Sequence, residues 1–222
     1  MSTPFDLLKT STAIFTLGPE GTFSDEASRV FQNKPDLLRY SSTFAEALLQ
    51  VSQNPKSAAV VPIENSVAGT VAQVQDALVS MDLVILGEVS LPITYSLLAS
   101  ADPKDIKNCY THSQAFEQTS RWSAENLPQV SPQFTRSNID SGLQFLEKAE
   151  QGDKSVAAIV PVSFAMKHPQ YLYAENIQDF KNNTTRFLLV KSRGELQDYD
   201  FTREKTALFV EFQEDRPGLL YK

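Results

Sequence analysis

Short apolar runs alternate with amphipathic segments along most of this chain, and this alternation restricts its fold more than any other feature. The runs 13–17, 58–61 and 156–160 have the length of buried strands, and the segments between them carry apolar residues at helical spacing. Strands that alternate with helices are typical of proteins in which helices cover a sheet. We therefore predict an α/β fold.

Capping patterns predict where three helices begin. Thr43 and Ser137 each precede an acidic residue by three positions, which is the spacing of a capping box. We predict that helices begin at both residues, and that Ser24 caps a helix over 25–32. The other predicted helices cover 70–80, 113–125 and 162–167, and the other predicted strands cover 108–110, 186–191 and two pieces of 83–100.

Two pentamers of the sequence resemble each other. Ala-Ala-Val-Val-Pro at 58–62 and Ala-Ala-Ile-Val-Pro at 157–161 each have the pattern of a strand that ends in proline before a helix. The likeness is either a coincidence or the mark of two α/β lobes of related build. We predict two lobes, with the chain crossing near 91–95 and returning near 185–189, and a ligand cleft between them. The predicted lobes are 1–93 with 188–203, and 94–187.

The composition excludes several classes of function. The 222 residues carry a net charge of −7 without a basic stripe, so we expect no nucleic-acid partner. No basic segment leads into an apolar core at the start, and no apolar run is long enough to cross a bilayer, so we expect no secretory signal and no membrane partner. With Cys109, His112 and His168 as the only thiol and imidazoles of the sequence, we expect no metal site, and the single cysteine fits a reducing, cytoplasmic compartment.

The segment 183–187, Asn-Thr-Thr-Arg-Phe, combines side chains that suit a ring-shaped acidic substrate. Arg186 offers a planar fork for a carboxylate. Thr185 is too weak an acid to protonate a leaving group by itself, but it can donate a positioned hydrogen bond to a departing hydroxyl or relay a proton from a neighbour. The alternative is a chance combination at the start of a strand.

Two further polar segments follow predicted strands, where open α/β sheets usually bind ligands. The segment 18–24 holds two of the eight glycines and ends at a predicted helix start, so it is either an anion site or a tight turn. It lacks the spacing of nucleotide-binding fingerprints, so we expect no nucleotide. In 62–66, Asn65 and Ser66 are either ligand contacts or helix caps. Three states are open to Glu64: a solvated carboxylate, an ion pair with a nearby cation, or a buried acid. We favour the ion pair.

A fourth polar segment, 112–115, opens the predicted helix of the second lobe. His112 at its start is either a cap or surface group, or a secondary candidate for proton transfer near neutral pH.

Taken together, these segments resemble the prephenate dehydratase family across nearly the whole chain. Each segment alone is weak, but six of them in the family's order and approximate spacing make the resemblance specific. They are Gly18-Pro-Glu-Gly-Thr-Phe-Ser24, Pro62-Ile-Glu-Asn-Ser66, Gly87-Glu-Val-Ser-Leu-Pro-Ile93, His112-Ser-Gln-Ala115, Asn176-Ile-Gln-Asp179, and Asn183 with Thr185-Arg186-Phe187.

The resemblance implies a two-lobed, periplasmic-binding-protein-like (type II) fold with the substrate in the inter-lobe cleft. It implies removal of water and carbon dioxide from prephenate to give phenylpyruvate for phenylalanine synthesis, without a cofactor, by a homo-oligomer that is usually a dimer. By motif matching, the expected catalytic residues are Thr185 and Glu64. The residues expected to bind the substrate are Thr22, Phe23, Asn65, Ser66, His112, Gln114, Ser137, Arg186 and Phe187.

The tail, 204–222, resembles the incomplete start of the ACT domain with which members of the family sense phenylalanine. Asp215-Arg-Pro-Gly-Leu-Leu220 matches the first turn of that domain, after a polar linker over 192–203. The usual Glu-Ser-Arg-Pro segment does not follow, so we expect impaired phenylalanine feedback and weakened association.

Three positions depart from the family pattern. Ala68 stands where a glycine usually follows, Ser-Asn-Ile at 137–139 replaces Ser-Thr-Ala, and Thr94 replaces a frequent histidine. These changes can shift substrate preference or rate, and they leave Thr185 in place. Two alternatives therefore stay open: an arogenate dehydratase, whose substrate has an amino group where prephenate has a keto group, and a non-catalytic small-molecule-binding module of the same fold.

Overall fold

The computed structural model describes residues 8, 10–32 and 34–196, so the predicted ACT segment at 204–222 lies outside the described residues. The described chain forms two separate mixed sheets, and helices cover both faces of each. The chain passes from the first sheet to the second and returns. This arrangement confirms the predicted α/β fold of two lobes.

The first sheet is built around two long neighbouring strands from distant parts of the chain. Its strands are, in spatial order, β2 (Leu38–Ser41), β1 (Ala13–Leu17), β3 (Ser57–Asn65), β11 (Thr184–Ser192) and β5 (Leu83–Pro92), with β4 (Gly69–Thr70) beside β3. β1 is parallel to β2 and β3, whereas β11 is antiparallel to both of its neighbours. The last described strand of the chain therefore lies in the interior of the first sheet.

Helices pack on both faces of the first sheet. One face is covered by α1 (Phe23–Phe31), and the other is covered by α2 (Phe44–Gln53) and α3 (Ala72–Ser80). Along β11, Phe187 packs in the core with Ala27 of α1, and Leu188 packs in the core of the opposite face. Because successive side chains of a strand point to opposite faces, odd-numbered residues of this part of β11 face α1.

The second sheet has the same layered build. Its strands are, in spatial order, β10 (Leu172–Ala174), β6 (Tyr95–Ala99), β9 (Val156–Pro161), β7 (Asn108–Thr111) and β8 (Ser131–Phe134). Its helices are α4 (Ser113–Gln118), α5 (Ser120–Asn126), α6 (Asn138–Glu150) and α7 (Val162–Ala165). Ile159 of the buried strand β9 packs in the core beside α4, and Val160 packs in the core beside α6 and α7.

Four short 3-10 turns complete the described secondary structure: Pro35–Leu37, Pro103–Asp105, Pro169–Tyr171 and Arg193–Leu196. In the part of the chain that the structure describes, none of the helices has both the length and the apolar character needed to cross a membrane.

Two of the three predicted helix caps are confirmed. The backbone N–H of Glu46 donates to the Thr43 hydroxyl, and that of Asp140 donates to the Ser137 hydroxyl, both at 3.0 Å. The prediction of Ser24 as the cap of the first helix is wrong. Thr22 is the last residue with extended backbone, and its hydroxyl accepts from the following turn, so the helix begins at Phe23.

The helix predicted over 113–125 is interrupted at Thr119, so α4 and α5 are separate. The cause is the carboxylate of Asp179, from a segment about 60 positions later. It accepts from the backbone N–H groups of Arg121 at 2.9 Å and Trp122 at 3.0 Å, and thereby caps a new helix.

The two similar pentamers are the buried strands β3 and β9, one in each sheet. The prediction that both strands end at their proline holds only for β9, which is followed at once by α7. β3 continues beyond Pro62 to Asn65 because it still pairs with β11 and β4 there. The segment 62–66 is therefore mostly strand and does not join a strand to a helix.

The chain crosses between the sheets at two places. The first crossing lies between β5 and β6, within the predicted range 91–95. The second crossing precedes Thr184, because the whole of β11 pairs within the first sheet. Residues 184–187, which the sequence placed in the second lobe, thus belong to the first sheet.

Candidate active site

The pairing of β3 with β11 places Asn65 directly beside Thr185. Both residues are buried, and the Asn65 Nδ2 atom lies 2.8 Å from the Thr185 Oγ1 atom. The two residues are 120 positions apart in the chain. Their contact therefore comes from strand pairing within one sheet, whereas the predicted lobes, 1–93 with 188–203 and 94–187, placed the two residues in different lobes.

The orientation of the Asn65 amide is fixed by the backbone. The N–H groups of Val67 and Ala68 donate to Asn65 Oδ1 at 3.0 and 2.8 Å, and an N–H can only donate. Nδ2 therefore supplies the donors, one to Thr185 Oγ1 and one to Asn183 Oδ1, each at 2.8 Å. Thr185 Oγ1 must accept, and no described side chain or backbone group accepts its own proton. The Thr185 hydroxyl is left as a donor for a ligand.

The hydrogen bonds continue into the second lobe. Asn183 Nδ2 donates to Oε1 of Gln118 at 2.9 Å, so a row of amides joins the end of α4 to Thr185. Both Gln118 and Asn183 are buried. Neither was among the predicted site residues, although Asn183 lay in a segment that the sequence singled out. A buried polar residue at the end of an apolar helix face was the available signal for Gln118.

A β-bulge determines which residue of β3 lies beside Thr185. Arg186 pairs with Glu64 and Phe187 pairs with Pro62, so Ile63 has no partner in β11. Without this extra residue, Glu64 would lie opposite Thr185. Bulges commonly redirect side chains in this way next to active sites.

Glu64 consequently lies on the opposite face of the sheet from Thr185. Its carboxylate binds Arg186 at 3.1 Å, and about half of its side chain is exposed. The predicted pairing of Glu64 with a cation agrees with this geometry. Its predicted catalytic role does not, because the carboxylate points away from the Thr185 hydroxyl.

Arg186 and Phe187 were expected to bind the substrate next to Thr185, but their side chains do not line one site with it. The guanidinium of Arg186 binds Glu64 and Glu88 on the Glu64 face, and its Nε is buried without a described partner. Phe187 shares the face of Thr185, but it is 2% exposed and packs in the core under α1. The three side chains therefore do not form one contact surface, as strand alternation requires.

The loop before α1 is held by a buried carboxylate. Asp25 accepts from the Gly21 N–H at 2.9 Å and from the Tyr40 hydroxyl at 2.7 Å. Burial and this hydrogen bond raise the pKa of Tyr40 to about 12. Gly21 has a φ of 86°, and a Cβ there would lie 3.1 Å from the Cδ1 of Ile139 in the second lobe. A glycine is required at this close approach of the lobes.

The same loop places Thr22 and Phe23 between the lobes. The Phe23 ring packs against the cores of both lobes and makes an edge contact with Tyr95, with ring centroids 5.7 Å apart. No described group accepts the backbone N–H of Phe23 or Ser24 in the first turn of α1. These two N–H groups and the helix dipole can stabilise a carboxylate.

The predicted site residues of the second lobe lie at helix starts. Ser137 caps α6, and Asn138 beside it hydrogen-bonds the Tyr95 side chain and has a buried Oδ1 without a described partner. His112 precedes α4, and partial burial lowers its pKa from the ordinary value of 6.5. Gln114 is exposed. Within the described chain, the side chains of His112 and Gln114 make no hydrogen bond to Thr185 or Asn65.

Ser66 secures the entry of the chain into β11. Its hydroxyl accepts from the Thr184 N–H at 2.9 Å and donates to the Asn182 carbonyl at 3.3 Å. The Ser66 side chain is exposed beside a shallow depression that Asn182 and Lys181 also line.

A second contact joins the lobes near α1. The Ser163 hydroxyl of α7 donates to the Glu26 carboxylate of α1. Burial raises the pKa of Glu26 above its ordinary value, and the hydrogen bond from Ser163 opposes that shift. Together with the contacts of Gly21 and Phe23, this bond fixes α1 against the second lobe.

Comparison with known proteins agrees with this fold. The sequence model of the family described as prephenate dehydratase matches residues 14–195. A protein of Methanocaldococcus jannaschii named prephenate dehydratase is 32% identical over 213 residues, which cover 94% of this chain and 74% of that protein.

Two solved structures have the same fold over 94% of this chain. The prephenate dehydratase of Staphylococcus aureus subsp. aureus Mu50 has a TM-score of 0.70 at 28% identity, and 76% of that chain is covered. The prephenate dehydratase of Arthrobacter aurescens, solved in complex with L-Phe, has a TM-score of 0.71 at 30% identity, with 69% covered. The protein is thus a two-lobed α/β protein with a polar site at the junction of its lobes. It belongs to the prephenate dehydratase family.

Proposed function

We propose that this chain is a prephenate dehydratase, a carbon–oxygen lyase that converts prephenate to phenylpyruvate, carbon dioxide and water in phenylalanine synthesis. The observation that carries the proposal is the buried Thr185 hydroxyl, which accepts a hydrogen bond from Asn65 and keeps its own proton for a ligand. Membership of the family supports the same reaction.

The chemistry requires help mainly at the departing oxygen. The bond between the ring and its carboxylate breaks, and the electron pair enters the ring as the bond to the hydroxyl at the opposite carbon breaks. Carbon dioxide and hydroxide leave, and the hydroxide becomes water by taking up a proton. Formation of the aromatic ring drives the reaction. The Thr185 hydroxyl donates a hydrogen bond to the departing oxygen, and one preorganised donor of this kind contributes about 3 kcal/mol to lowering a barrier.

The row of amides prepares Thr185 for this role. Asn65 alone donates to Thr185 Oγ1, whereas the rest of the row donates away from it, Asn65 to Asn183 and Asn183 to Gln118. The two backbone N–H groups that donate to Asn65 Oδ1 polarise its amide and strengthen the bond that withdraws electron density from the Thr185 oxygen. The Thr185 O–H becomes a stronger donor as a result. The same bonds fix its rotamer, so no reorganisation is needed when charge develops on the substrate.

The start of α1 supplies the attraction for the substrate's carboxylates. The chain carries a net charge of −7, so a dianion gains nothing from long-range attraction and depends on local groups. The free N–H groups of Phe23 and Ser24 offer two donors and a positive helix end. Thr22 and the Phe23 ring complete this wall of the cleft, and Ser137 at the start of α6 lies on the opposite wall.

Glu64 and Arg186 have a positioning role in this proposal. Their ion pair spans β3 and β11 on the face away from the reaction, beside the bulge that sets Asn65 opposite Thr185. The proton for the leaving hydroxide comes through water. Ser66 keeps the approach to β11 in place.

The experiment is to incubate the purified chain with prephenate at neutral pH and follow phenylpyruvate. We expect turnover well above the rate in buffer, and slower turnover of arogenate to phenylalanine under the same conditions. A rate with prephenate no higher than in buffer would contradict the proposal, and faster turnover of arogenate would reassign the substrate.

Two remaining predictions belong to this proposal. We propose a cytoplasmic location, as expected for a biosynthetic enzyme, and association into a homo-oligomer. Light scattering across a concentration series measures the association.

A further inference from the structure

The two lobes are joined by their chain crossings and by one further hydrogen bond. The crossings are the segments 93–94, between β5 and β6, and 175–183, between β10 and β11. Among the hydrogen bonds between described residues, only that from Ser163 to Glu26 joins the two lobes without using a residue of these crossings. All strand pairing lies within one lobe or the other. A rotation about the crossings would therefore break this bond and leave both sheets intact.

The described arrangement is closed around the candidate site. Thr185 and Asn65 are each 8% exposed, and Asn183 beside them is 2% exposed. Phe23 of the first lobe packs in a core of the second lobe, where its ring contacts Tyr95. A substrate with a six-membered ring needs more room than this at the Thr185 hydroxyl. The lobes must therefore separate to admit it.

The bond between Ser163 and Glu26 is suited to release. Ser163 is exposed at the start of α7, so water can replace its hydroxyl as a partner. The half-buried Glu26 carboxylate has a pKa above its ordinary value, chiefly because of burial and also because of the nearby charge of Asp25. The Ser163 hydroxyl and the charge of Lys167, which follows α7, oppose this shift. Opening of the lobes would return the carboxylate to water, which an ionised group prefers.

The Ser163 hydroxyl compensates for the burial of this carboxylate. An ionised carboxylate that leaves water without a hydrogen bond costs free energy. No described group other than Ser163 donates a hydrogen bond to the Glu26 side chain. Loss of the hydroxyl would leave that cost uncompensated in the closed arrangement and would cost nothing in an open one. The balance between the two arrangements therefore depends on this bond.

We propose that the hydrogen bond between Ser163 and Glu26 is a releasable latch, which holds the lobes closed over Thr185 and breaks when they separate to admit substrate or release product. The role of the latch in admitting substrate rests on the proposed function. Its effect on the lobes is a property of the free protein.

The opening is measured as the distance between two spin labels, one on each lobe. Val30→Cys and Leu143→Cys place the labels at exposed positions on α1 and α6. These helices begin where the lobes approach each other, at Gly21 and Ile139. The native Cys109 stays unlabelled because it is buried, and burial raises the pKa of its thiol to about 12. Electron spin resonance then gives the fractions of short and long distances.

We expect a short distance to dominate in the labelled chain with the latch intact. In Ser163→Ala the ratio of closed to open lobes should fall about tenfold, the effect of one hydrogen bond to a charged group, and a longer distance should appear. Ser163→Thr keeps the hydroxyl at this exposed position and should stay closed. Glu26→Gln keeps an acceptor and removes the charge that burial disfavours, so it should be at least as closed. Ser80→Ala is the matched control, because the Ser80 hydroxyl donates within its own helix.

Only a short distance in Ser163→Ala would overturn the latch, because the apolar contacts of Phe23 would then suffice to hold the lobes. A long distance in Ser163→Thr, Glu26→Gln or Ser80→Ala, as abundant as in Ser163→Ala, would overturn it as well. Ser163 is exposed, so its variants should fold like the wild type.

Prephenate is added in a separate step. It should restore the short distance in Ser163→Ala, since a ligand bound between the lobes favours the closed arrangement. No restoration would count against the proposed prephenate site. The distances measured without prephenate decide the latch by themselves, so failure of the proposed activity and failure of the latch are distinguishable.

Discussion

The two faces of β3 and β11 carry polar pairs that differ in almost every property. On the α1 face, Asn65 and Thr185 are buried, uncharged and linked to further amides. On the other face, Glu64 and Arg186 are partly exposed and charged. Both pairs come from the same consecutive residues of the same two strands.

The difference shows that residues next to each other in the sequence need not belong to the same site. Buried hydrogen bonds hold a donor in one geometry, whereas an exposed ion pair is weakened by water and salt. We therefore expect changes on the buried face to affect turnover strongly, and changes on the charged face to affect it little. Three substitutions test this contrast, in order of decreasing expected effect, and a fourth with a smaller expected effect tests His112 outside both faces.

Thr185→Ala should give the largest loss. Removing the hydroxyl removes the donor to the departing oxygen, and we expect kcat with prephenate to fall by about 100-fold or more. Thr184→Ala is the matched control, because Thr184 is the neighbouring threonine and its hydroxyl donates to the Asn182 carbonyl instead. Equal rates for the Thr185 variant and the wild type would remove the buried face from the mechanism.

Asn65→Asp should give the next largest loss. The carboxylate has no N–H to donate, so the Thr185 hydroxyl turns to donate to it and is withdrawn from the substrate. We expect kcat to fall by about 10- to 100-fold, since the hydroxyl is retained but misdirected. Asn54→Asp, at an exposed asparagine that ends α2, should keep the wild-type rate. If Asn65→Asp were as active as this control, the row of amides would have no catalytic role.

Glu64→Gln tests the charged face. The substitution weakens one partly exposed ion pair with Arg186, and such pairs contribute about 0–1 kcal/mol to stability. We expect kcat/KM to remain within about threefold of the wild type, which is the effect of less than 1 kcal/mol. Glu88→Gln should behave alike, because Glu88 binds the same guanidinium. A loss from Glu64→Gln comparable to that of Thr185→Ala would restore Glu64 as a proton donor and break the contrast.

His112→Gln should give the smallest effect, seen in stability. Burial lowers the pKa of His112 below 6.5, so the unfolded chain binds the proton more readily than the folded chain. Stability is therefore lost as the pH falls below 6.5, by an amount we expect to be within about 1 kcal/mol. Urea unfolding at pH 7.5 and 5.5 should show a smaller difference for His112→Gln than for the wild type or His168→Gln. An unchanged pH dependence would exclude this imidazole as its source.

Local patterns were sufficient to predict much of the fold. The hydroxyls of Thr43 and Ser137 act on residues three positions away, so a short stretch of sequence contains both partners of each cap. The alternation of apolar runs likewise depends on neighbours, and it predicted the α/β class correctly. The break at Thr119 was missed because its cause, Asp179, is distant in the chain.

The site was predictable in its residue types and not in its geometry. The sequence singled out the two segments that contain Thr185 and Asn65, and these two side chains are in contact. It could not show that Ile63 forms a bulge, because of which Asn65, and not Glu64, lies beside Thr185. A shift of one residue in strand register moves every side chain of that strand to the opposite face of the sheet. Neither the composition nor the spacing of motifs shows such a shift. Gln118 was missed because its partner Asn183 lies 65 positions away.

The interior position of β11 has a consequence for the order in which the protein is assembled during synthesis. The strands of the second sheet all leave the ribosome before Thr184 does, so that sheet can form while β3 and β5 still wait for the strand that separates them. Until then both strands expose unpaired backbone edges, which are sites of aggregation. The last described strand thus completes the first sheet and brings the Thr185 hydroxyl beside Asn65 in a single step.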